Sequence, residues 1–495
     1  MRKTIVLLAM AFLCAFQLTA QTDVDVLRYS QIYPDGTARS MAMGGAFGAL
    51  GGDFSSLSMN PAGIAIYRKS EFTFSPSLGD MKANSAYLGT NANDSRYNFN
   101  IGNIGLVGHY GIPNANPEGW QNIDFGIGYN RQNSFQTNIT FQGTNQNNSL
   151  LDFFLHQVNG NGGTPTSDLD AENVFKQDAA LAYWSYLINP DSSNSLHYNS
   201  VLPVAGERQR MTINSTGSMG EMVMSLGANY DNKLYFGATM GIDFLNYNEN
   251  SHYTETNMDN TTSSLIKYDL NRTLNTSGNG INLKLGMIYR ANDFLRFGLA
   301  FHTPTFYQMH DNYSATIASD FDSARHYTHA SPQGTFDYTL TTPMRVIGSI
   351  AFIIGQSGVI SGDYEFVDYT SSQLSSTTYN FADANAVIQQ KYSQGSNFRV
   401  GTEWKVNNIS LRGGYAFYGT PFSSNSMPPG GADQTTNSFS GGIGVKDHAL
   451  TIDLGFVYSM TKEYYEPYFL NDQPVEGATI KLNNNIFVMT IGYKF

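Results

Sequence analysis

The chain has 495 residues, of which only 14% are charged, while Gly, Tyr and Phe number 48, 31 and 32. Soluble domains carry about 25% charged residues, so this composition argues against a series of soluble domains. The formal net charge of −12 offers no basic face for neutralising phosphates, and we therefore expect no nucleic-acid partner.

The first twenty residues have the pattern of a cleaved secretory signal. Two basic residues, Arg2 and Lys3, precede an apolar run from Ile5 to Leu18, which small residues follow. The run is shorter than the about 20 residues of a membrane-spanning helix. We predict that residues 1–20 are removed on export. Because Cys14 is the only cysteine of the sequence, the mature chain would contain no thiol.

Residues 21–69 show neither alternation nor many charges. They include a run of small residues from Met41 to Asp53 and the motif Asn60-Pro61-Ala62-Gly63. Glycine and alanine allow backbones to pack closely, which suits a compact plug inside a barrel lumen. This segment is our predicted N-terminal hatch.

From residue 70 onward the chain alternates apolar with small or polar residues. Between Leu234 and Ile242, for example, every second residue is apolar, which gives a strand with one apolar face. The alternation predicts fourteen strands at 70–80, 97–110, 121–142, 219–230, 233–248, 279–290, 294–303, 343–354, 359–370, 396–406, 409–418, 436–446, 449–461 and 482–495. The stretch 121–142 is twice the usual strand length, so one kinked strand and two strands both remain open.

The predicted connections fall into two classes. Very short turns such as Asp231-Asn232 and Asn407-Asn408 alternate with long polar segments. We predict that those polar segments, at 249–278, 304–342, 371–395 and 419–435, are loops. Short turns at one rim and long loops at the other are typical of an outer-membrane barrel.

The longest predicted loop, 143–218, breaks the β pattern. Its apolar spacing is helical from Leu150 to Val158 and from Ala171 to Leu187. Apolar aromatic residues on these helices could form an external site that captures a hydrophobic ligand. The candidates are Phe153, Phe154, Phe175, Tyr183, Trp184 and Tyr186. Packing of the helices against each other explains the same residues equally well.

The last predicted strand alternates to the final residue, Phe495, with Tyr493 two positions before it. A terminal aromatic residue in this setting resembles the signal by which the barrel assembly machinery recognises outer-membrane proteins. The predicted fold is all-β, a transmembrane antiparallel β-barrel of about 14 strands spanning 70–495, with an N-terminal plug and helices in one long external loop. We expect it in the outer membrane of a Gram-negative cell.

The chain resembles the FadL-type outer-membrane transporters of long-chain fatty acids and other hydrophobic compounds. The small-residue run from Met41, the Asn60-Pro61-Ala62-Gly63 motif before the first strand, the fourteen strands and the terminal Phe495 carry this resemblance. It implies that the motif anchors the hatch, that an external groove captures the ligand, and that a kinked strand opens the wall sideways. The stretch Asn130–Asn133 is our candidate for that opening.

Basic residues on the inward faces are candidate partners for a fatty-acid carboxylate, because guanidinium binds carboxylate through paired hydrogen bonds. They are Lys284, Arg345, Arg399 and Arg412. The competing interpretation is structural ion pairing inside the barrel, since Glu221, Asp243, Glu403 and Asp453 are also predicted to point inward.

The predicted function is passive transfer of a long-chain fatty acid or another hydrophobic compound into the outer membrane, possible without any cofactor. No nucleophile spacing or metal-ligand cluster stands out, so we expect neither an enzyme nor a metal site. The alternative is a haem-binding or surface-interaction receptor without transport. Four histidines lie in or beside one predicted loop, His302, His310, His326 and His329, and the last two are the candidate haem ligands.

Overall fold

A computed structural model describes residues 23–170, 177–202, 206–258, 263–322 and 324–495. The predicted signal, residues 1–20, lies outside the described residues. The same holds for Phe175 of the predicted capture site and for most of the first half of the second predicted helix.

Seven α-helices are present in the described residues. They are α1 (Asp23–Ser30), α2 (Ala38–Ala42), α3 (Ser56–Met59), α4 (Leu150–Asn159), α5 (Thr166–Asp170), α6 (Gln177–Trp184) and α7 (Ala382–Lys391). A 3₁₀ helix at Pro61–Ile66 follows α3. Among the described residues, no helix combines the length and the apolar character needed to cross a membrane.

The strands account for most of the chain. They are β1 (Glu71–Tyr87), β2 (Thr90–Gly111), β3 (Trp120–Ser134), β4 (Thr137–Asn145), β5 (Ile188–Pro190), β6 (Tyr198–Ser200), β7 (Glu207–Tyr230), β8 (Leu234–Thr256), β9 (Lys267–Arg290), β10 (Leu295–His302), β11 (Phe306–Asp320), β12 (His326–Ala330), β13 (Gly334–Thr341), β14 (Arg345–Ile354), β15 (Gly358–Asp368), β16 (Gln373–Ser375), β17 (Gln394–Val406), β18 (Ile409–Tyr418), β19 (Thr436–Asp447), β20 (Leu450–Tyr465) and β21 (Ala478–Lys494).

One antiparallel sheet closes on itself where β1 pairs with β21. Three barrel strands consist of two pieces each, β3 with β4, β10 with β11, and β13 with β14. Counted in this way, the described residues form fourteen barrel strands, and the predicted fold class and strand number are confirmed. The predicted stretch 121–142 is one barrel strand in two pieces.

The outer surface carries an apolar belt. Every barrel strand contributes at least one large apolar side chain that is more than a third exposed. One from each strand, in chain order, are Leu78, Leu106, Phe125, Leu226, Met240, Leu285, Leu299, Phe352, Ile360, Val400, Leu411, Ile443, Leu454 and Phe487. A ring of this size in contact with water would be very unfavourable, so the belt is the surface that faces lipid hydrocarbon.

Two of the predicted loops are wrong in large part. The segment 249–278 mostly continues β8 and β9, and 304–342 holds β11, β12 and β13. The segment 371–395 contains β16 and α7. The predicted 143–218 loop is shorter than expected, because β4 extends into its beginning and β7 into its end. These strands extend beyond the belt, where both faces can be polar: Asn246 is exposed on the outer face, while Tyr247 is buried. The polar residues of these segments belong to strands that stand in water, and the sequence-based prediction mistook them for loops.

Residues 23–69, called the hatch segment below, lie inside the barrel on a set of wall glycines. A Cβ atom placed on Gly237 would come within 2.3 Å of the Pro61 backbone, and one on Gly414 within 2.3 Å of Gly44 N. Similar contacts below 3.0 Å occur at Gly105, Gly126, Gly128, Gly227, Gly286, Gly298, Gly401, Gly442 and Gly455. The glycines on the inward strand faces therefore leave the space in which the hatch segment packs against the wall.

Candidate functional site: a lumen cavity at a break in the wall

The barrel wall is interrupted between its second and third strands. The ladder between β2 and β3 ends at the pair Asn103–Asn130, and the upper part of β2, residues 90–101, pairs only with β1. β3 itself stops at Ser134, and β4, which resumes two residues later, pairs only with β7. We call this interruption the seam.

The hatch segment occupies the lower end of the seam. The amides of Tyr33 and Asp35 donate to the carbonyls of Gln132 and Arg131 at 2.9 and 3.1 Å. They therefore take the place that a neighbouring strand would have against β3. An Asp35 carboxylate oxygen lies 3.8 Å from Arg131 Nε. Burial raises the pKa of Asp35 to about 6, and the positive charge of Arg131 opposes that rise.

Side chains close the upper end of the seam. Arg96 on β2 donates to the side-chain oxygens of Gln136 (2.9 Å) and Asn138 (2.8 Å). Asp94 accepts from the backbone amide and the hydroxyl of Thr140 at 2.7 and 3.2 Å. We call these contacts of Arg96 and Asp94 the latch. A junction closed by a few side-chain hydrogen bonds can open at lower cost than one closed by a continuous backbone ladder.

A cavity of about 300 Å³ in the lumen reaches the seam. Its floor includes Ser40, Met41 and Gly45 of the hatch segment, and its wall includes Phe135 and Thr137, which flank the break. Most of the apolar side chains in the rest of the wall come from β1, β4, β7 and β21, and most of the hydroxyl side chains come from β19 and β20. The apolar side chains are Met81, Ile139, Ile213, Val457, Leu482 and Ile486, and the hydroxyl side chains are Thr436, Ser438, Ser440, Ser459 and Thr461. Such a lining suits a ligand that is apolar along one side and hydrogen-bonds along the other.

The charged groups of the cavity are mainly acidic. Asp35, Glu249 and Glu463 line it, and among the described residues Arg28 is the one basic side chain in the lining. The Arg28 guanidinium pairs with Asp25 and lies 4.4 Å from the centroid of the Tyr247 ring.

The predicted hatch motif lies where the hatch segment meets the wall. Asn60 Nδ2 donates to the carbonyls of Gly48 (2.6 Å) and Met287 (3.2 Å), and the Asn60 side-chain oxygen accepts from the Ala62 amide at 3.2 Å. Pro61 begins the 3₁₀ helix, where a missing N–H costs nothing. Gly63 fits against Gly51, because a Cβ at Gly63 would lie 2.9 Å from Gly51 Cα.

In the structure, each of the four basic residues predicted to bind a ligand carboxylate already pairs with an acidic side chain. Lys284 pairs with Glu221, and Arg345 and Arg399 both pair with Glu365. Arg412 bridges Glu403 and Asp453 at 2.6 Å each. All four basic side chains are buried, and none of them lines the cavity. The geometry favours the structural ion-pair interpretation over ligand binding.

The predicted aromatic capture residues divide into two groups. Phe154 is fully buried in the core beneath the outer helices, with Phe153 and Tyr183 packed against that core. Trp184 and Tyr186 are 42% and 51% exposed. The Tyr186 ring centroid lies 4.5 Å from that of Tyr327 on β12, so these two helix-end residues border an outward-facing aromatic surface.

The two candidate haem ligands lie on opposite faces of β12. His326 and His329 are three residues apart in a strand, so their side chains point in opposite directions. His326 Nδ1 lies 2.7 Å from Asp320, and the His329 ring lies 6.0 Å from Trp184. One iron cannot bind both rings, which removes the basis of the haem alternative at this pair. His302 contacts the Met59 carbonyl inside the barrel at 2.8 Å, and His310 contacts Asp337 at 2.7 Å.

Several residues of the cavity and seam were missed by sequence reasoning, among them Asp35, Arg96, Glu249 and Glu463. Only the run Asn130–Asn133 gave a signal, because four polar residues interrupt an otherwise alternating strand. In the ranges the structure describes, no cluster of three or more His, Cys, Asp or Glu side chains could hold a metal ion.

Solved structures share this architecture. A Pseudomonas aeruginosa FadL homologue is 11% identical, with 94% of this chain and 100% of that chain covered at a TM-score of 0.58. The Pseudomonas putida toluene transporter TodX is 13% identical over 94% and 100% (TM-score 0.52), and the Ralstonia pickettii toluene transporter TbuX is 14% identical over 93% and 99% (TM-score 0.50).

No protein-family model matches the sequence, and no curated protein matches it either. The solved structures confirm the predicted resemblance to FadL-type barrels at the level of the fold, over nearly the whole chain.

Proposed function

We propose that this protein transfers hydrophobic compounds passively across the outer membrane of a Gram-negative cell. The observation that carries the proposal is the cavity that reaches the seam in a lipid-facing wall. The shared fold with a FadL homologue and with toluene transporters supports it. Transfer needs no energy source, because burying apolar surface in lipid contributes about 25 cal/mol per Å².

The proposed path has three stages. A compound first meets the exposed aromatic residues Trp184 and Tyr186, then enters the lumen cavity above the hatch segment. It leaves sideways into the membrane between the latch and Tyr33, which requires the Arg96 and Asp94 contacts to open. Recognition of Phe495, a residue that is 61% exposed, by the barrel assembly machinery is part of the same proposal.

The predicted long-chain fatty acid remains one candidate compound, with its alkyl chain suited to the apolar side of the cavity. Its carboxylate would need a cation, and the four predicted basic residues are all engaged with acids.

Uptake of radiolabelled toluene and oleate by cells with and without the gene tests transport. We expect faster uptake of at least one compound when the protein is present, and equal rates would contradict transport itself.

Cross-linking tests the sideways exit. In the double variant Arg96→Cys, Asn138→Cys, a short bis-maleimide should hold the latch shut and reduce uptake at least fivefold relative to the same variant without the linker. The control pair Asn248→Cys, Asn275→Cys joins β8 to β9 at paired positions above the belt and should leave uptake unchanged when linked. Undiminished uptake with the latch linked would exclude exit through the seam while leaving transport standing.

A further inference from the structure

The charges around the lumen cavity bear on which polar group its ligand carries, an inference that rests on the proposed function. Three guanidinium groups lie near the carboxylates of this region, Arg28, Arg131 and Arg272, and Arg272 pairs with Asp178. At longer range Arg28 acts on both Glu249 and Glu463, and Arg272 acts on Glu249. Arg28 pairs with Asp25, and Arg131 lies near Asp35. Glu249 and Glu463 then remain without a basic partner within salt-bridge distance in the described chain.

The two unpaired acids lie above the hatch segment on different sides of the lumen. Glu249 belongs to β8 and accepts a hydrogen bond from the Tyr247 hydroxyl, and Glu463 belongs to β20. The buried Ser134 hydroxyl, which also lines the cavity, has no hydrogen-bond partner among the described residues. The cavity thus offers two carboxylates and a free hydroxyl to a ligand, beside an apolar side of six side chains.

A carboxylate entering this space would lose its hydration shell beside two acidic side chains, and both effects oppose binding. A protonated amine would lose its hydration shell as well, but the two carboxylates would compensate it as ion-pair and hydrogen-bond acceptors. An alcohol carries no charge and lies between these cases. Unpaired acids therefore act both for cations and against anions, which is how a site discriminates between ligands of equal apolar size.

We propose that the lumen cavity selects cationic amphiphiles, apolar compounds that bear a protonated amine, and discriminates against carboxylates. Glu249 and Glu463 determine this preference by binding the ammonium group. The apolar side from Met81 to Ile486 holds the alkyl or aromatic part. Fatty acids would then be poor ligands of this cavity despite their suitable chain.

Three compounds of equal chain length test the proposal. Decylamine, decanol and decanoate are titrated at pH 7 into the protein held in zwitterionic lipid nanodiscs, and heats from empty nanodiscs are subtracted. We expect affinity in the order decylamine, decanol, decanoate, with at least a tenfold difference between the first and the last. Equal affinities, or tightest binding of decanoate, would overturn the charge preference and leave the proposed transport intact.

Variants assign the preference to its residues. The double variant Glu249→Gln, Glu463→Gln should weaken decylamine binding about tenfold and change decanol binding less than twofold. The control Glu466→Gln removes an exposed acid three residues from Glu463 and should alter neither. Unchanged amine binding in the double variant would overturn the assignment. If none of the three compounds binds the unaltered protein, both this inference and the proposed route through the cavity fail.

Discussion

The ionisation of Asp35 bears directly on the closed seam. Burial raises its pKa to about 6 from a usual value near 4, so the closed arrangement favours the protonated acid. That contribution is complete below pH 4 and is lost as the pH rises through 6. Ionised Asp35 therefore weakens the hold of the hatch segment on β3 at pH 8.

The variant Asp35→Asn should hold the hatch segment more firmly at pH 8, because the amide carries no charge to desolvate. The gain in stability of the closed arrangement should not exceed about 3 kcal/mol, the free energy that corresponds to a pKa difference of two. Hydrogen exchange of the segment around Tyr33 measures it, with both proteins compared at the same pH. We expect slower exchange in the variant at pH 8 and a much smaller difference at pH 5. Faster exchange at pH 8 would mean that the ion pair with Arg131 outweighs the cost of burial.

For single residues, the sequence predicted which side chains point into the barrel better than it predicted which ion-pair partners they meet. Arg345 and Arg399 do point into the barrel, as alternation requires. Their shared partner Glu365 lies on β15, between the strands that carry them, and alternation alone contains no information on which acid each base meets. Asp35 lay in a segment without periodicity, so nothing in the sequence connected it to Arg131.

At the scale of elements, the seating of the hatch segment depends on wall glycines. A methyl group at Gly237 would lie 2.3 Å from the Pro61 carbonyl, which is backbone and cannot rotate away. Gly237→Ala should therefore displace the motif around Asn60 at a cost of about 1–3 kcal/mol, the usual penalty for overpacking. We expect a lower unfolding temperature and increased entry of large hydrophilic antibiotics into cells.

Gly348→Ala is the matched control, because a Cβ there meets nothing within 4 Å. It should behave like the unaltered protein in both measurements. Equal effects of the two variants would point to a general loss of strand flexibility and away from the proposed anchoring of the hatch segment.

Strands within the belt were predictable because lipid outside and a crowded lumen inside impose alternation. Above the belt both faces can be polar, so the upper part of β8, with Asn250 and His252 facing out, gave no signal. The sequence indicated the seam only as an interruption of the alternating pattern near Asn130. Its closure by Tyr33 and Asp35 was not predictable, because these residues lie about a hundred positions from their partners on β3. The sequence located the helices predicted to capture ligand, but it did not show that Phe154 is buried in packing while Trp184 is exposed.

At the scale of the whole molecule, the belt sets how the barrel sits in the membrane. A strand tilted by about 45° crosses the hydrocarbon core in about 9–11 residues. β8 has 23 residues, so about half of it stands outside the lipid. Its outward residues change accordingly from apolar Phe236, Met240 and Phe244 to polar Asn246 and Asn250.

Two arginine substitutions on the same face of β8 test this placement. Met240→Arg puts a charge in the belt and should lower the free energy of unfolding by about 2–4 kcal/mol, the cost of arginine near the bilayer midplane. Asn250→Arg, ten residues higher and facing outward, should cost less than about 1 kcal/mol because the side chain stays in water. Urea unfolding in lipid vesicles, followed by tryptophan emission, measures both. Similar costs at the two positions would show that the hydrocarbon boundary lies elsewhere on β8. That result would also contradict the proposed sideways exit into lipid at the height of the cavity.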